Sequence, residues 1–131
     1  RPVKIENQCN VQDGAIIHAL GGTCVTIGPQ TSLSHGCTIH GPCTIGKGCF
    51  VGFRAVVYDA LLQDEIFIGT GAIVQGVKLA SKSFVPPATS VLCQEHMVRF
   101  VCKTSPTERA FMARVLAANL KLTIGYRKLK Y

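Results

Sequence analysis

Charge is scarce in this chain, and acidic charge is scarcest. Only 16% of its 131 residues are charged, and seven Asp and Glu stand against fourteen Lys and Arg. A disordered tail has the opposite balance, with little apolar surface and much charge, whereas 47% of these residues are hydrophobic. Long apolar runs are also missing, and none reaches the roughly 18 residues of a membrane-spanning helix, so no membrane span is expected. Arg1-Pro2-Val3-Lys4 does not open a signal peptide. There is no CxxC pair, and seven cysteines are an odd number. Neither a zinc-finger cluster nor a closed disulfide framework fits that count. The net charge of +7 is uneven, with ten of the fourteen basic residues from Lys78 onward and Arg127, Lys128 and Lys130 near the end. Aromatic interleaving, a recognition helix and an RNA-binding signature are all lacking. The excess therefore reads as a solvated basic face, and nucleic acid is not expected as a partner.

What is present is a repeat. Aliphatic residues recur every six positions at Ile5, Val11 and Ile17, then at Ile27, Leu33, Ile39, Ile45, Val51 and Val57. Four extra residues interrupt the series between Ile17 and Ile27. After Val57 the register is looser, through Leu62, Ile68 and Val74 to Val85 and Val91. Glycine often follows the aliphatic residue, as at Gly28, Gly46, Gly52 and Gly69. A small residue sits four places after it, as at Cys9, Ala15, Thr31, Cys37, Cys43, Cys49, Ala55 and Ala72. A six-residue period matches neither a helix nor a plain strand. It matches short strands joined by tight corners, three hexapeptides closing a triangular rung of about 18 residues. The chain is therefore expected to be all-β, a left-handed parallel β-helix over residues 1–92 that lacks its first rungs. Cys9, Cys37, Cys43 and Cys49 take the small inward slot as core residues, which points to a reducing, intracellular setting. Cys24, Cys93 and Cys102 fall outside that slot and receive no role.

Beyond the repeat, residues 93–104 read as a connecting segment. Ser105-Pro106-Thr107-Glu108 is a helix start, with Ser105 as cap and Glu108 closing a capping box. Phe111, Val115, Ala118 and Leu122 recur at helical spacing, and Gly125 offers a stop. Residues 105–131 are thus expected to form one C-terminal α-helix packed outside the prism.

Three of the four histidines lie inside the repeat. Take Ile5, Val11 and Ile17 as faces one, two and three. His18 follows Ile17 and His40 follows Ile39, so both hold the same outward position on face three, one rung apart. Tyr58 holds that position on the next rung. His35 lies near a turn on face two. Zinc favours imidazole nitrogens in tetrahedral geometry with one place left open for catalysis. His18 and His40 can supply two such nitrogens. His35 points elsewhere within one chain, and reaches a neighbour's metal if three prisms pack about an axis. Gln12 and Asp13 project outward on face two. Asp13 can orient a histidine and Gln12 can hold bound solvent, although Asp13-Gly14 also fits a simple turn. His96 lies outside the repeat and reads as incidental.

The runs from Asn10 to His18, from Ser34 through His35 to Pro42, and from Gly46 through Arg54 to Val57 resemble the γ-class carbonic anhydrases. Within that class they are most similar to the carbonic-anhydrase-like domains of carboxysomal scaffold proteins. The likeness covers residues 2–92, with an echo at Gly125-Tyr126. It implies a lyase in which zinc, or iron or cobalt in its place, is bound by His18 and His40 of one subunit and His35 of the next. It implies a homotrimer with shared metal sites, Gln12 beside the bound solvent, and Asn10 and Asp13 supporting the catalytic pocket. It implies CO2 and bicarbonate as the reacting pair and a cytoplasmic, microcompartment or organellar setting. The family carries an Arg-x-Asp-Glu segment one rung before Asn10, and Arg1 stands about where that segment should just have ended. Two other readings share the repeat. One is a non-catalytic γ-carbonic-anhydrase-like structural subunit of a larger complex. The other is a hexapeptide acyltransferase, which would use one catalytic histidine.

Overall fold

The structure, a computed structural model, describes residues 3–129. Arg1 and Pro2 at the opening, and Lys130 and Tyr131 in the basic tail, lie outside the described residues.

Among the described residues fourteen strands and two helices follow one another. The first rung is β1 (Val3–Ile5), β2 (Asn10–Val11) and β3 (Ile16–His18). The second is β4 (Val25–Ile27), β5 (Ser32–Leu33) and the first half of β6 (Thr38–Ile45). The third takes the second half of β6, then β7 (Phe50–Val51) and the first half of β8 (Val56–Leu62). The fourth takes the rest of β8, then β9 (Phe67–Ile68) and β10 (Ile73–Gln75). The fifth is β11 (Lys78–Leu79), β12 (Ser83–Val85) and β13 (Ser90–Val91). These rungs form a parallel β-solenoid of about five turns.

Register follows the aliphatic series. Ile5, Ile27, Ile45, Leu62 and Leu79 stack on face one. Val11, Leu33, Val51, Ile68 and Val85 stack on face two. Ile17, Ile39, Val57, Val74 and Val91 stack on face three. Leu79 is the member that the sequence pattern missed. It was hidden because the corner after face three shortens. Two residues separate His40 from Cys43, but only Asp59 separates Tyr58 from Ala60, and the ladder shifts register there. The small inward slot therefore falls on Ala60 and then Val77, both buried.

Burial gives the series its energy. Ile27, Leu33, Ile39, Val51 and Val57 are 0% exposed. Each such side chain contributes about 1.5–3 kcal/mol when taken from water. Cys37, Cys43 and Cys49 are buried among them and Cys9 is half-buried. The glycines after the aliphatic residues sit at close approaches between rungs. A Cβ on Gly28 would lie 2.6 Å from the backbone carbon of Gly46, and one on Gly52 would lie 2.8 Å from that of Gly69. Backbone cannot yield there as a flexible side chain would.

Residues 93–104 are more than a connection. They hold α1 (Gln94–Phe100) and β14 (Cys102–Lys103), which pairs antiparallel with β12. Met97 of α1 packs against the core. The expected long helix is α2 (Pro106–Arg127). Its capping box forms as read: the Ser105 amide donates to Glu108 Oε2 at 2.6 Å, and the Thr107 amide donates to Ser105 Oγ at 3.2 Å. The Ser105 hydroxyl holds the Glu108 carboxyl below its ordinary range.

Two expectations for α2 need correction. The helix runs through Gly125 to Arg127, since nothing crowds that position and glycine costs only about 1 kcal/mol in a helix. Its packed side keeps Phe111 and Val115 of the expected stripe but continues through Met112, Leu116, Asn119 and Leu120, while Ala118 and Leu122 are exposed. An aromatic ladder on face two explains the seating. Phe50, Phe67 and Phe84 stack outward at centroid distances of 4.9 and 5.5 Å, and Phe111 meets Phe50 edge-on at 5.1 Å. No described helix is long and apolar enough to cross a membrane.

Candidate metal centre

The parallel ladder places His18, His40 and Tyr58 in one outward column on face three. His18 Nδ1 and His40 Nε2 lie 3.0 Å apart. His40 Nδ1 lies 2.9 Å from the Gly41 carbonyl oxygen, which can only accept. That contact assigns the proton to Nδ1 and leaves the Nε2 lone pair free, so the His18 Nδ1–H donates to it. The Tyr58 ring meets His40 edge-on at 5.0 Å and 87°, backing it from the next rung.

Zinc with bonds of about 2.0–2.1 Å keeps tetrahedral ligand atoms about 3.3 Å apart. The two imidazole nitrogens already stand within about half an ångström of that spacing. Nitrogen donors on two neutral imidazoles also suit zinc, iron and cobalt chemically. The column therefore fits two ligands of such a metal.

His35 is held elsewhere, at the corner between faces two and three. Its amide donates to Gln12 Oε1 at 3.2 Å, and its Nδ1 lies 3.4 Å from the Asp13 carbonyl oxygen. Its ring stacks on Phe53, with centroids 5.8 Å apart and planes 15° from parallel. Among the described residues no group of three His, Cys, Asp or Glu could hold a metal ion within one chain. The structure thus brings His18 and His40 together and keeps His35 apart, as the face assignment implied.

The neighbouring polar residues act differently from the sequence reading. Gln12 grips the His35 backbone from one rung away. It is the Asp13 main-chain carbonyl, and not its carboxylate, that approaches a histidine nitrogen. Spacing alone could not separate those two oxygens. Asn10 lies under α2, in a cleft shared with Asn119, Thr123 and Arg127. The amide nitrogens of Asn10 and Asn119 are both buried and without a hydrogen-bond partner among the described residues. The sequence reading passed over Asn119 because it reads as one more helix position. It also passed over Phe53, although the repeat carried the signal: Ser34 and Gly52 follow stacked Leu33 and Val51, so the next residues share a corner.

The buried cysteines are not rival ligands. Burial pushes the Cys37 thiol up to about 11 and those of Cys43 and Cys49 up to about 12. Thiols that hold their protons neither bind zinc nor attack. The Cys49 thiol donates to the Gln63 carbonyl at 3.2 Å and the Cys9 thiol to that of Gly28 at 3.1 Å.

Comparison with known proteins points to the same fold. Residues 24–59 match the family described as bacterial transferase hexapeptide (six repeats). The chain is 29% identical over 135 residues to carboxysome assembly protein CcmM of Nostoc sp. (strain PCC 7120), covering 95% of this chain and 24% of that protein. It is 25% identical over 151 residues to a carbonic anhydrase of Methanosarcina thermophila, covering 97% of this chain and 60% of that one. It therefore spans about a quarter of the assembly protein's length. A hexapeptide transferase family protein from Anaplasma phagocytophilum shares the fold, with a TM-score of 0.74 at 21% identity, over 95% of this chain and 68% of that one. The chain carries hexapeptide repeats and is homologous, at modest identity, to carboxysome assembly protein CcmM and to a carbonic anhydrase.

Proposed function

We propose that the chain is a subunit of a trimeric, zinc-dependent carbonic anhydrase that interconverts CO2 and bicarbonate. The observation that carries this reading is the His18–His40 pair, with two ring nitrogens 3.0 Å apart on adjacent rungs. When bound, zinc supplies the Lewis acidity that brings the ionisation of a water to near-neutral pH. Every other contribution comes from the chain itself. With its proton moved to Nε2, His18 would offer Nδ1 to the metal beside His40 Nε2, and Gly41 fixes the His40 ring by accepting its other N–H. His35 completes the ligand set of a neighbouring subunit. Gln12 holds the His35 backbone, which leaves the amide nitrogen of its side chain to orient substrate at the same interface. Free thiols and the carboxysome assembly relatives support an intracellular setting, inside a microcompartment or the cytoplasm.

The test follows from sharing. His35→Ala and His40→Ala homotrimers should each be silent in stopped-flow CO2 hydration with zinc supplied. Mixed trimers refolded from equal amounts should regain about a quarter of wild-type activity, since one order of neighbours restores a whole ligand set. No recovery on mixing, from trimers shown to be mixed, would sink the shared site. The name of the assembly proteins favours a second reading, a non-catalytic scaffold subunit. Wild-type trimers that bind zinc yet leave CO2 unhydrated would select it. Trimers that bind no zinc but turn over an acyl donor would select the transferase reading.

A further inference from the structure

We propose that Phe53 is a positioning residue for His35, locking the imidazole so that Nε2 is the nitrogen offered across the subunit interface. The proposal rests on the metal reading above and adds a residue to it.

His35 sits on an exposed corner, where a histidine ring would ordinarily turn about two side-chain bonds. Here almost every group it owns is tied. Its amide is held by Gln12 Oε1 at 3.2 Å, and its carbonyl accepts from the Arg54 amide at 3.1 Å. Its Nδ1 faces the Asp13 carbonyl, and one ring face lies on Phe53 at 15°. These partners come from the rungs on either side, so the ring is clamped along the stacking direction. Nε2 has no hydrogen-bond partner among the described residues.

Phe53 itself is the anomaly that the clamp explains. It is 48% exposed on a corner whose other outward members include Gln12, Asp13 and Arg54. A large apolar ring gains little there from burial. It sits in the one place where a flat apolar surface meets the flat face of His35. Stacked aromatic pairs are worth a small but directional energy, enough to narrow a rotamer population before a ligand arrives. A zinc ligand that must cross to another subunit benefits most, because nothing on the far side orders it beforehand.

The test uses the full chain, with Phe53→Leu to remove the stack and Phe53→Tyr to keep it. In the metal-free protein, the carbon-bound ring protons of His35 should show an upfield ring-current shift that Phe53→Leu abolishes and Phe53→Tyr retains. Zinc affinity of the trimer should fall about three- to ten-fold in Phe53→Leu and recover in Phe53→Tyr. The double variant His35→Ala/Phe53→Leu should bind zinc as His35→Ala alone does, because Phe53 acts only through His35. A merely structural role would instead add its own loss on top. An unchanged His35 shift in Phe53→Leu overturns the clamp whatever the metal does, and so does an additive double variant. A wild-type trimer that binds no zinc overturns the metal reading and the offered ligand with it. The metal-free shift then still reports whether the stack exists.

Discussion

The first and third rungs carry the same hydrophobic pattern but sit in opposite environments. Ile45 and Val51 of the third rung are 1% and 0% exposed, whereas Ile5 and Val11 of the first are 43% and 44% exposed. An inward position in a solenoid is buried by the rungs above and below it as much as by its own triangle. Among the described residues the first rung has a neighbour on one side only. That same rung carries His18, Asn10, Gln12 and Asp13. Most of the candidate chemistry is tied to the second rung, through the His18–His40 register and the Gln12–His35 bond. The third and fourth rungs seat the start of α2 through Phe50 and Phe67.

The largest expected effect tests the tie to the second rung. His40→Ala should leave a folded trimer and lower zinc affinity by more than about a hundred-fold, since even outer partners of ligating histidines are worth about 10–100-fold. Metal content after dialysis reads this directly, and a variant that keeps its zinc would remove the second rung from the site. A smaller effect separates the rungs by stability. Ile45→Ala should cost about 2–5 kcal/mol in denaturant unfolding, while Ile5→Ala, already exposed to water, should cost under about 1 kcal/mol. Equal losses would mean that the first rung is covered in solution and that the contrast is false.

The smallest effect is a pH dependence carried by the inner rungs. Burial raises the Cys43 and Cys49 thiols from 9.0 to about 12. The folded chain then keeps protons that the unfolded chain releases, so the unfolded state binds fewer of them above pH 9. The stability these thiols lend is complete below about pH 9 and is lost as pH climbs toward 12, at up to about 1.4 kcal/mol per thiol per pH unit. Cys43→Ala and Cys49→Ala should each flatten the alkaline limb of a Tm-against-pH curve.

Much of this was legible because the repeat is local. Ile27, Leu33 and Ile39 announce three faces, and counting along them put His18 and His40 in one column before any coordinates. Leu79 was lost for the same reason: a corner one residue shorter moves every later position, and no residue type marks the change. The misplacing of Ala118 and Leu122 on the packed side of α2 has another cause. Its seat is set by Phe50, Phe67 and Phe84, far away in sequence, and those aromatics override a weak helical stripe. The roles of Asp13 and Phe53 depend on which atom meets a ring across a rung, which composition does not encode.

The His18–His40 column also sets a rule of parity. Along each strand, alternate residues face the core and the solvent, so the outward column holds its phase only while the count within the strands is kept. Residues added between Ile17 and Ile27 are absorbed by the corner. A single deletion inside β6 between Thr38 and His40 would remove Ile39, turn the imidazole toward the packed interior and leave Gly41 in the outward place. The site is thus tuned like a string with fixed frets: it can lengthen freely at the corners, and between them it moves only in whole steps.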